Sequence, residues 1–505
     1  MPVSDMPPLR LASLDDDLRN SYAALRADLE RPDGRLGQSR RRVKVALQDG
    51  RAHYGLNTGF GALKSHRIEA ADAAQLQVNL IRSHAVGVGE PVAPHLSRRM
   101  VALKAHALGH GFSGVSLHVV AALLDWLDAG LAPVVPSQGS LGASGDLAPL
   151  AHLALPLIGE GEMWRDGERV PAADALEGAG LGTVTLGAKD GLALINGTQF
   201  MQALGLEALL RARSLGRLAT IVAAMTLEAI RGSYRPFDIG LMHVRPHPGG
   251  IGVAGLVRKL VEGSEIGPSH EGCDKVQDPY SVRCVPAVHG ASLDAFRYVA
   301  AAFETELGSV TDNPVVGGRV DAPDLISGGH FHGQPLAIPL DTLAIATAEL
   351  ASISERRSYL LLDGHDALPP FLVAKPGLSS GFMMTQYTAA ALVSENKTLC
   401  HPASVDTIPS SRGQEDHVSM GAWGARKALR VVENAEHVLA VELLCAAQAL
   451  DFRLPLRPGR GVRAAWECVR EVVPFRKTDG VFTDDLDAAV SLVRSGRLAA
   501  AVAER

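Results

Sequence analysis

Three long stretches of this chain repeat apolar residues with the period of an α-helix. Leu215, Leu218, Val222 and Met225 fall on one helical face, as do Leu343, Ala346, Leu350 and Ile353, and Leu439, Leu443, Ala446 and Leu450. These stretches are rich in Ala, Leu and Glu, which lose little freedom in a helix. Strand signal is confined to short pieces. Met163–Val170 carries a turn at Asp166-Gly167, and Thr183–Leu186 alternates weakly. The pattern predicts a mostly α protein. The C-terminal two-thirds should be a bundle of long helices, and a smaller N-terminal domain should carry the few short strands. The last strand-like stretch gives way to long helices near Ala193–Gly197. That change divides the chain into an N-terminal domain, 1–195, and a helical domain, 196–505.

Composition narrows the function class. The 505 residues carry a formal net charge of -6, so nothing in the overall charge favours nucleic acid or an anionic membrane. The densest basic run, Arg40-Arg41-Arg42-Val43-Lys44, reads as a solvated helix face. The five cysteines are scattered and form no CxxC pair, which argues for a reducing compartment over a disulfide framework. Met1–Asp17 has Pro and Asp where a signal peptide needs an apolar core. The apolar stretches are interrupted by charge, Ala219–Leu227 by Glu228 and His118–Leu124 by Asp125, so no membrane span is expected. The expected location is cytoplasmic. The 52 glycines cluster in loops between the helical runs, at 55–61, 139–145, 328–333 and 377–381, where polar and aromatic residues also collect.

One of those loops reads Gly139-Ser140-Leu141-Gly142-Ala143-Ser144-Gly145-Asp146-Leu147-Ala148-Pro149-Leu150. By spacing alone it is a glycine-rich loop before a helix, with Asp146 as a first-turn carboxylate. Neither a GxxxxGK[ST] phosphate loop nor a strand-linked GxGxxG fits. The chemistry of Ala-Ser-Gly says more. A glycine at 145 lets the backbone take unusual angles, so its nitrogen can approach the Ala143 carbonyl carbon. Ring closure with loss of two waters, one involving the Ser144 hydroxyl, yields 4-methylidene-imidazol-5-one. No unmodified side chain is an electrophile, and this ring is one.

The loop resembles the signature of the aromatic amino acid ammonia-lyases, and further segments follow in that family's order. They are Tyr54-Gly55-Leu56-Asn57-Thr58-Gly59-Phe60-Gly61, Asn196-Gly197-Thr198, Gln277-Asp278-Pro279-Tyr280-Ser281-Val282-Arg283-Cys284, Asp312-Asn313-Pro314 and Gln414-Glu415-Asp416-His417. The resemblance implies a lyase that expels ammonia from an α-amino acid through an electrophile built from Ala143, Ser144 and Gly145, with no external cofactor and no metal. It implies Tyr54 as base for the β-proton, and Asn196 and Tyr280 as donors to the new ring's carbonyl oxygen. Arg283 would hold the substrate carboxylate, with Gln277 assisting.

Within the family the chain is similar to the histidine branch. Ser83-His84 stands at the selectivity position, and Glu415 can accept from an imidazole N–H. Met383 matches an apolar pocket wall, and His330 and Phe331 lie in the substrate-binding loop. The expected reaction is L-histidine to trans-urocanate. The expected assembly is a homotetramer whose subunits share active sites. Two positions depart from the family pattern: His330 stands where asparagine is usual, and Val285 where the branch commonly has glutamine. They leave open a histidine betaine, another aromatic amino acid or a 2,3-aminomutase. A metal-dependent hydrolase using His330, His332 and His401 is a distant alternative.

Overall fold

A computed structural model of the chain describes residues 6–270, 272 and 275–503. It is predominantly helical, with seven short strands among the described residues. Backbone contacts group it into two compact units, each assembled from separate stretches of sequence. The first is Met1–Glu207, Ala300–Asp341 and Pro402–Arg426, and the second Ala208–Val299, Thr342–His401 and Lys427–Arg505. The boundary expected after residue 195 falls inside the first unit. That unit takes back two later segments, whose loops bond to its own: the Val316 N–H donates to the Phe112 carbonyl and the Met420 N–H to that of Leu141.

The first unit contains the helices that carry the glycine-rich loops: α1 (Ala73–His84), α2 (Pro94–Gly109), α3 (Leu147–Ala154) and α4 (Asp190–Ile195). Its strands are all antiparallel. Glu162–Arg165 and Glu168–Pro171 form the expected hairpin, extended by Ala132–Pro133. Asp166 and Gly167, with φ of 52° and 85°, make the two-residue turn, whose mirror-image geometry matches strand twist. Val88–Pro91 pairs with Pro136–Gln138, and Val315–Gly318 with Pro323–Ile326. Thr183–Leu186 is not a strand: Val184 donates to the Leu157 carbonyl, but no ladder follows. The basic run lies on the helix Arg35–Ala46, and Arg40 is not solvated. Its guanidinium turns inward and donates to the carbonyls of Gly114 and Ala188.

The second unit is the helical bundle. It holds most of α5 (Gln199–Ala229), α6 (Val285–Leu307), α7 (Gln334–Leu362) and α9 (Gly421–Asp451), and the whole of α8 (Met383–Leu399). All twelve residues of the three apolar faces are buried. At its centre the Arg357 guanidinium pairs with the Glu442 carboxylate at 2.5 and 2.8 Å, both side chains wholly inaccessible. Thr226 donates to the same carboxylate, so the buried charges are hydrogen-bonded as burial requires. By length and composition α7 could cross a membrane, but 67% of its apolar window is buried inside the protein, as in a core helix. The four described cysteines, Cys284, Cys400, Cys445 and Cys468, are free thiols.

Candidate active site

The Ala143-Ser144-Gly145 segment is held from both sides in the first unit. Upstream, Ser419 donates to the Gly142 carbonyl at 3.1 Å and the Met420 N–H to that of Leu141 at 2.9 Å. Downstream, Gly145 pairs with Gly197 as an isolated parallel bridge, and the Asp146 N–H donates to the Gly197 carbonyl at 2.7 Å. Gly145 has φ of 72°, and a Cβ there would lie 2.1 Å from the Gly197 oxygen. Only glycine can occupy this position, because any side chain would meet rigid backbone. The segment therefore fits what ring closure demands: a pinned loop with an unhindered nitrogen at 145.

Ser144 is gripped at two atoms. The Asn196 side-chain amide donates to its carbonyl oxygen at 3.3 Å, and its hydroxyl donates to Glu415 Oε1 at 3.3 Å. Glu415 is itself positioned by Ser410, whose hydroxyl donates to Oε2 at 2.6 Å. In the proposed ring the Ser144 carbonyl survives and the hydroxyl is lost. Asn196 thus stands where a donor to the ring carbonyl is wanted, and Glu415 beside the departing oxygen.

Two cavities meet at this residue. One, of about 540 Å³, is lined by Tyr54, Ser144, Asn196, Asn313, Phe331 and Glu415 among others. The second, of about 640 Å³, shares Tyr54, Ser144, Asn196 and Glu415 and is otherwise mostly apolar, with Ser83 and His84 in its wall. His84 Nδ1 lies 2.9 Å from the Leu80 carbonyl oxygen, which can only accept, so Nδ1 carries the proton in the neutral ring. That leaves Nε2 as an acceptor. Burial holds the imidazole below its usual value, and the nearby Glu415 charge opposes this only partly.

Tyr54 is a candidate base without the expected tuning. Burial, joined by the Glu415 charge, raises its phenol, and the Gly61 N–H only partly offsets them. Phe331 lines the first cavity; His330 lines neither. The His330 ring bonds the Asp312 carbonyl through Nε2 and is exposed. His332 faces the His417 carbonyl, and its ring stacks on that of His417 with centroids 5.9 Å apart. Among the described residues no group of three or more His, Cys, Asp or Glu is arranged to hold a metal ion.

Gln277, Tyr280, Arg283 and Met383 belong to the second unit and line neither cavity. Three of them form a cluster. Arg283 donates to Gln277 Oε1 at 3.0 Å, and its guanidinium lies 4.4 Å from the centre of the Tyr280 ring, which is 70% exposed. Met383 is the first residue of α8 and half-buried.

Several residues of the site went unassigned in the sequence. Asn313 spans the loop edge: its amide donates to Ser327 at 3.1 Å and its oxygen accepts from the Gly328 N–H at 2.8 Å. Its only sequence signal was its place in Asp312-Asn313-Pro314. Asp146 is fully buried and accepts from Ser140 and from the Met201 N–H. Burial pushes its carboxyl up to about 7 against those bonds. Lys104, a lone charge in the apolar run of α2, is also buried, and its ammonium is pushed down to about 7 by desolvation.

Residues 23–471 match the family model described as aromatic amino acid lyase. The chain is 51% identical over 506 residues to the histidine ammonia-lyase of Sorangium cellulosum, covering 98% of each. It is similar to the crystal structure of histidine ammonia-lyase from Trypanosoma cruzi, with 43% identity, a TM-score of 0.86, and 93% and 89% of the two chains covered. A tyrosine aminomutase from Streptomyces globisporus superposes with a TM-score of 0.88 at 36% identity, over 100% of this chain and 99% of that one.

Proposed function

This chain belongs to the aromatic amino acid lyase family and is a carbon–nitrogen lyase, and on that premise we propose that it removes ammonia from L-histidine to give trans-urocanate. The observation that carries the reading is the double grip on Ser144, at its carbonyl by Asn196 and at its hydroxyl by Glu415, where two cavities meet. The 4-methylidene-imidazol-5-one that Ala143, Ser144 and Gly145 would form supplies the electrophile for the substrate amine. The chain's other residues bind, aim and move protons. Asn196 donates to the Ser144 carbonyl oxygen, where negative charge develops. Tyr54 takes the β-proton. Its raised phenol needs a cation nearby when substrate is bound, and Arg283, holding the carboxylate, supplies one. Ser83, His84 and Glu415 give the imidazole its partners: His84 Nε2 and the Glu415 carboxylate each offer an acceptor to the ring's N–H.

The reading includes a cytoplasmic homotetramer with shared active sites. The Gln277–Tyr280–Arg283 cluster of one subunit would serve the cavity of another, with Tyr280 as a second donor to the ring carbonyl and Met383 as an apolar wall. The exposed Tyr280, Tyr298, Tyr359, Met384 and Tyr387 support burial on assembly.

The test is turnover, followed by ultraviolet absorbance, of histidine, its trimethyl betaine, tyrosine and phenylalanine, together with intact mass. Histidine should exceed phenylalanine by at least ~100-fold in kcat/KM, as a pocket built for hydrogen bonds rejects a plain ring. The mass should be two waters below that of the unmodified chain, and Ser144→Ala should lose one dehydration and most activity. A betaine or phenylalanine preferred over histidine would overturn the substrate, a β-amino acid product would make the enzyme an aminomutase, and an undiminished mass in active protein would overturn the electrophile.

A further inference from the structure

The Lys104 side chain is 1% exposed in the middle of α2. Its ammonium donates to two backbone carbonyls, Ala193 at 3.2 Å and Asn196 at 2.5 Å. Among the described residues no carboxylate lies within 4 Å of it; the neighbouring Lys189 takes Asp312, at 2.6 Å. A buried ammonium satisfied by carbonyls alone is an expensive arrangement that apolar packing would not require.

What it holds is the end of α4. The last carbonyls of a helix have no partner within it, and α4 has only six residues. At Asn196 the backbone leaves the helix for an extended conformation, with φ of -77° and ψ of 139°. Gly197 follows with φ of 126°, and a Cβ there would lie 3.2 Å from the Lys104 nitrogen and closer still to Gln199 and Thr311. The same two residues touch the electrophile loop: the Asn196 amide donates to the Ser144 carbonyl, and Gly197 is bridged to Gly145. A cation at a helix C-terminus, gripping the carbonyl of the residue whose side chain must be aimed, fixes that aim.

We propose that Lys104 is a positioning residue for the lyase reaction, its ammonium clamping the Ala193 and Asn196 carbonyls so that the Asn196 amide points at the Ser144 carbonyl oxygen. The proposal rests on the reading of Ser144 and Asn196 given above. Lys104 touches neither cavity and acts only through Asn196.

The test uses the full-length protein with Lys104→Met, which keeps an unbranched side chain and removes the donors, and Lys104→Gln, which keeps a neutral amide with two N–H donors. Kinetics with histidine are normalised to the fraction of chains showing the two-water deficit. Lys104→Met should lower kcat at least tenfold with KM within threefold, and Lys104→Gln should fall between it and the wild type. In the Asn196→Ala background Lys104→Met should cost less than twofold, since the group it aims is gone. Independently of turnover, hydrogen exchange of the backbone at 193–198 should quicken at least tenfold in Lys104→Met while the rest of α2 is unchanged. The proposal is overturned if Lys104→Met keeps kcat within twofold, if its loss multiplies with that of Asn196→Ala, or if exchange at 193–198 is unaltered. Failure of both variants to fold would overturn it too, by making the lysine a folding requirement. If the wild type itself fails to turn over histidine, the functional reading falls, while the exchange result still judges the clamp.

Discussion

Ser144 and Glu415, 271 positions apart in the chain, are joined by a hydrogen bond of 3.3 Å from the serine hydroxyl to the carboxylate. The carboxylate also accepts from Ser410 at 2.6 Å, so one oxygen is anchored while the other faces Ser144. It lines both cavities that meet there.

Glu415→Gln should therefore lower histidine turnover by at least about tenfold, because an amide is a weaker acceptor than a carboxylate for an imidazole N–H. It should cost phenylalanine turnover less, narrowing the ratio of the two kcat/KM values. Side-by-side kinetics check it; an unchanged ratio would remove Glu415 from ring recognition.

Asn196→Ala should lower kcat by about 10²–10³ with a small change in KM, the loss seen when one preorganised donor to a developing oxyanion is removed. The motive is its 3.3 Å bond to the Ser144 carbonyl. A loss confined to KM would contradict the role.

Gly145→Ala should prevent the dehydrations altogether, since a Cβ would stand 2.1 Å from the Gly197 oxygen at a φ of 72°. Intact mass is the readout. A variant with the full two-water deficit would show that the loop can close without this glycine.

Stability should fall in mild acid. His106 is buried against Ser21, with Nδ1 2.8 Å from the hydroxyl, and burial, reinforced by His110, holds it down to about 3. A folded-state value below the unfolded one of ~6.5 means the neutral ring's contribution is complete above pH ~6.5 and is lost as pH falls toward 3. The slope is at most ~1.4 kcal/mol per pH unit for this ring. Denaturation midpoints of wild type and His106→Asn should converge between pH 7 and 4.5, the wild type falling more steeply as the neutral ring's contribution is lost.

His84→Leu should reduce histidine turnover at least tenfold and improve phenylalanine relative to it. The variant removes the Nε2 acceptor left when Nδ1 serves Leu80. Unchanged preference between the two substrates would place ring recognition elsewhere.

By itself the sequence determined the helical class, the hairpin at Asp166-Gly167 and the chemistry available at Ala143-Ser144-Gly145. These are local matters: a period of 3.6, a turn that needs positive φ, and a tripeptide whose atoms can close a ring. Tertiary structure alone decided which distant groups meet. Asn196 reaches the Ser144 carbonyl across 52 positions of one stretch, and Glu415 reaches its hydroxyl only because the first unit joins that stretch to Pro402–Arg426; no local pattern records such closure. His330 looked like a substrate contact by its place in a loop, yet its ring turns to the Asp312 carbonyl, because a side chain's direction follows the backbone around it and not its motif. Lys104 was legible only as a charge in the apolar run of α2 that follows Arg99. Its meaning came from two carbonyls almost ninety residues away or more, which burial obliges it to find.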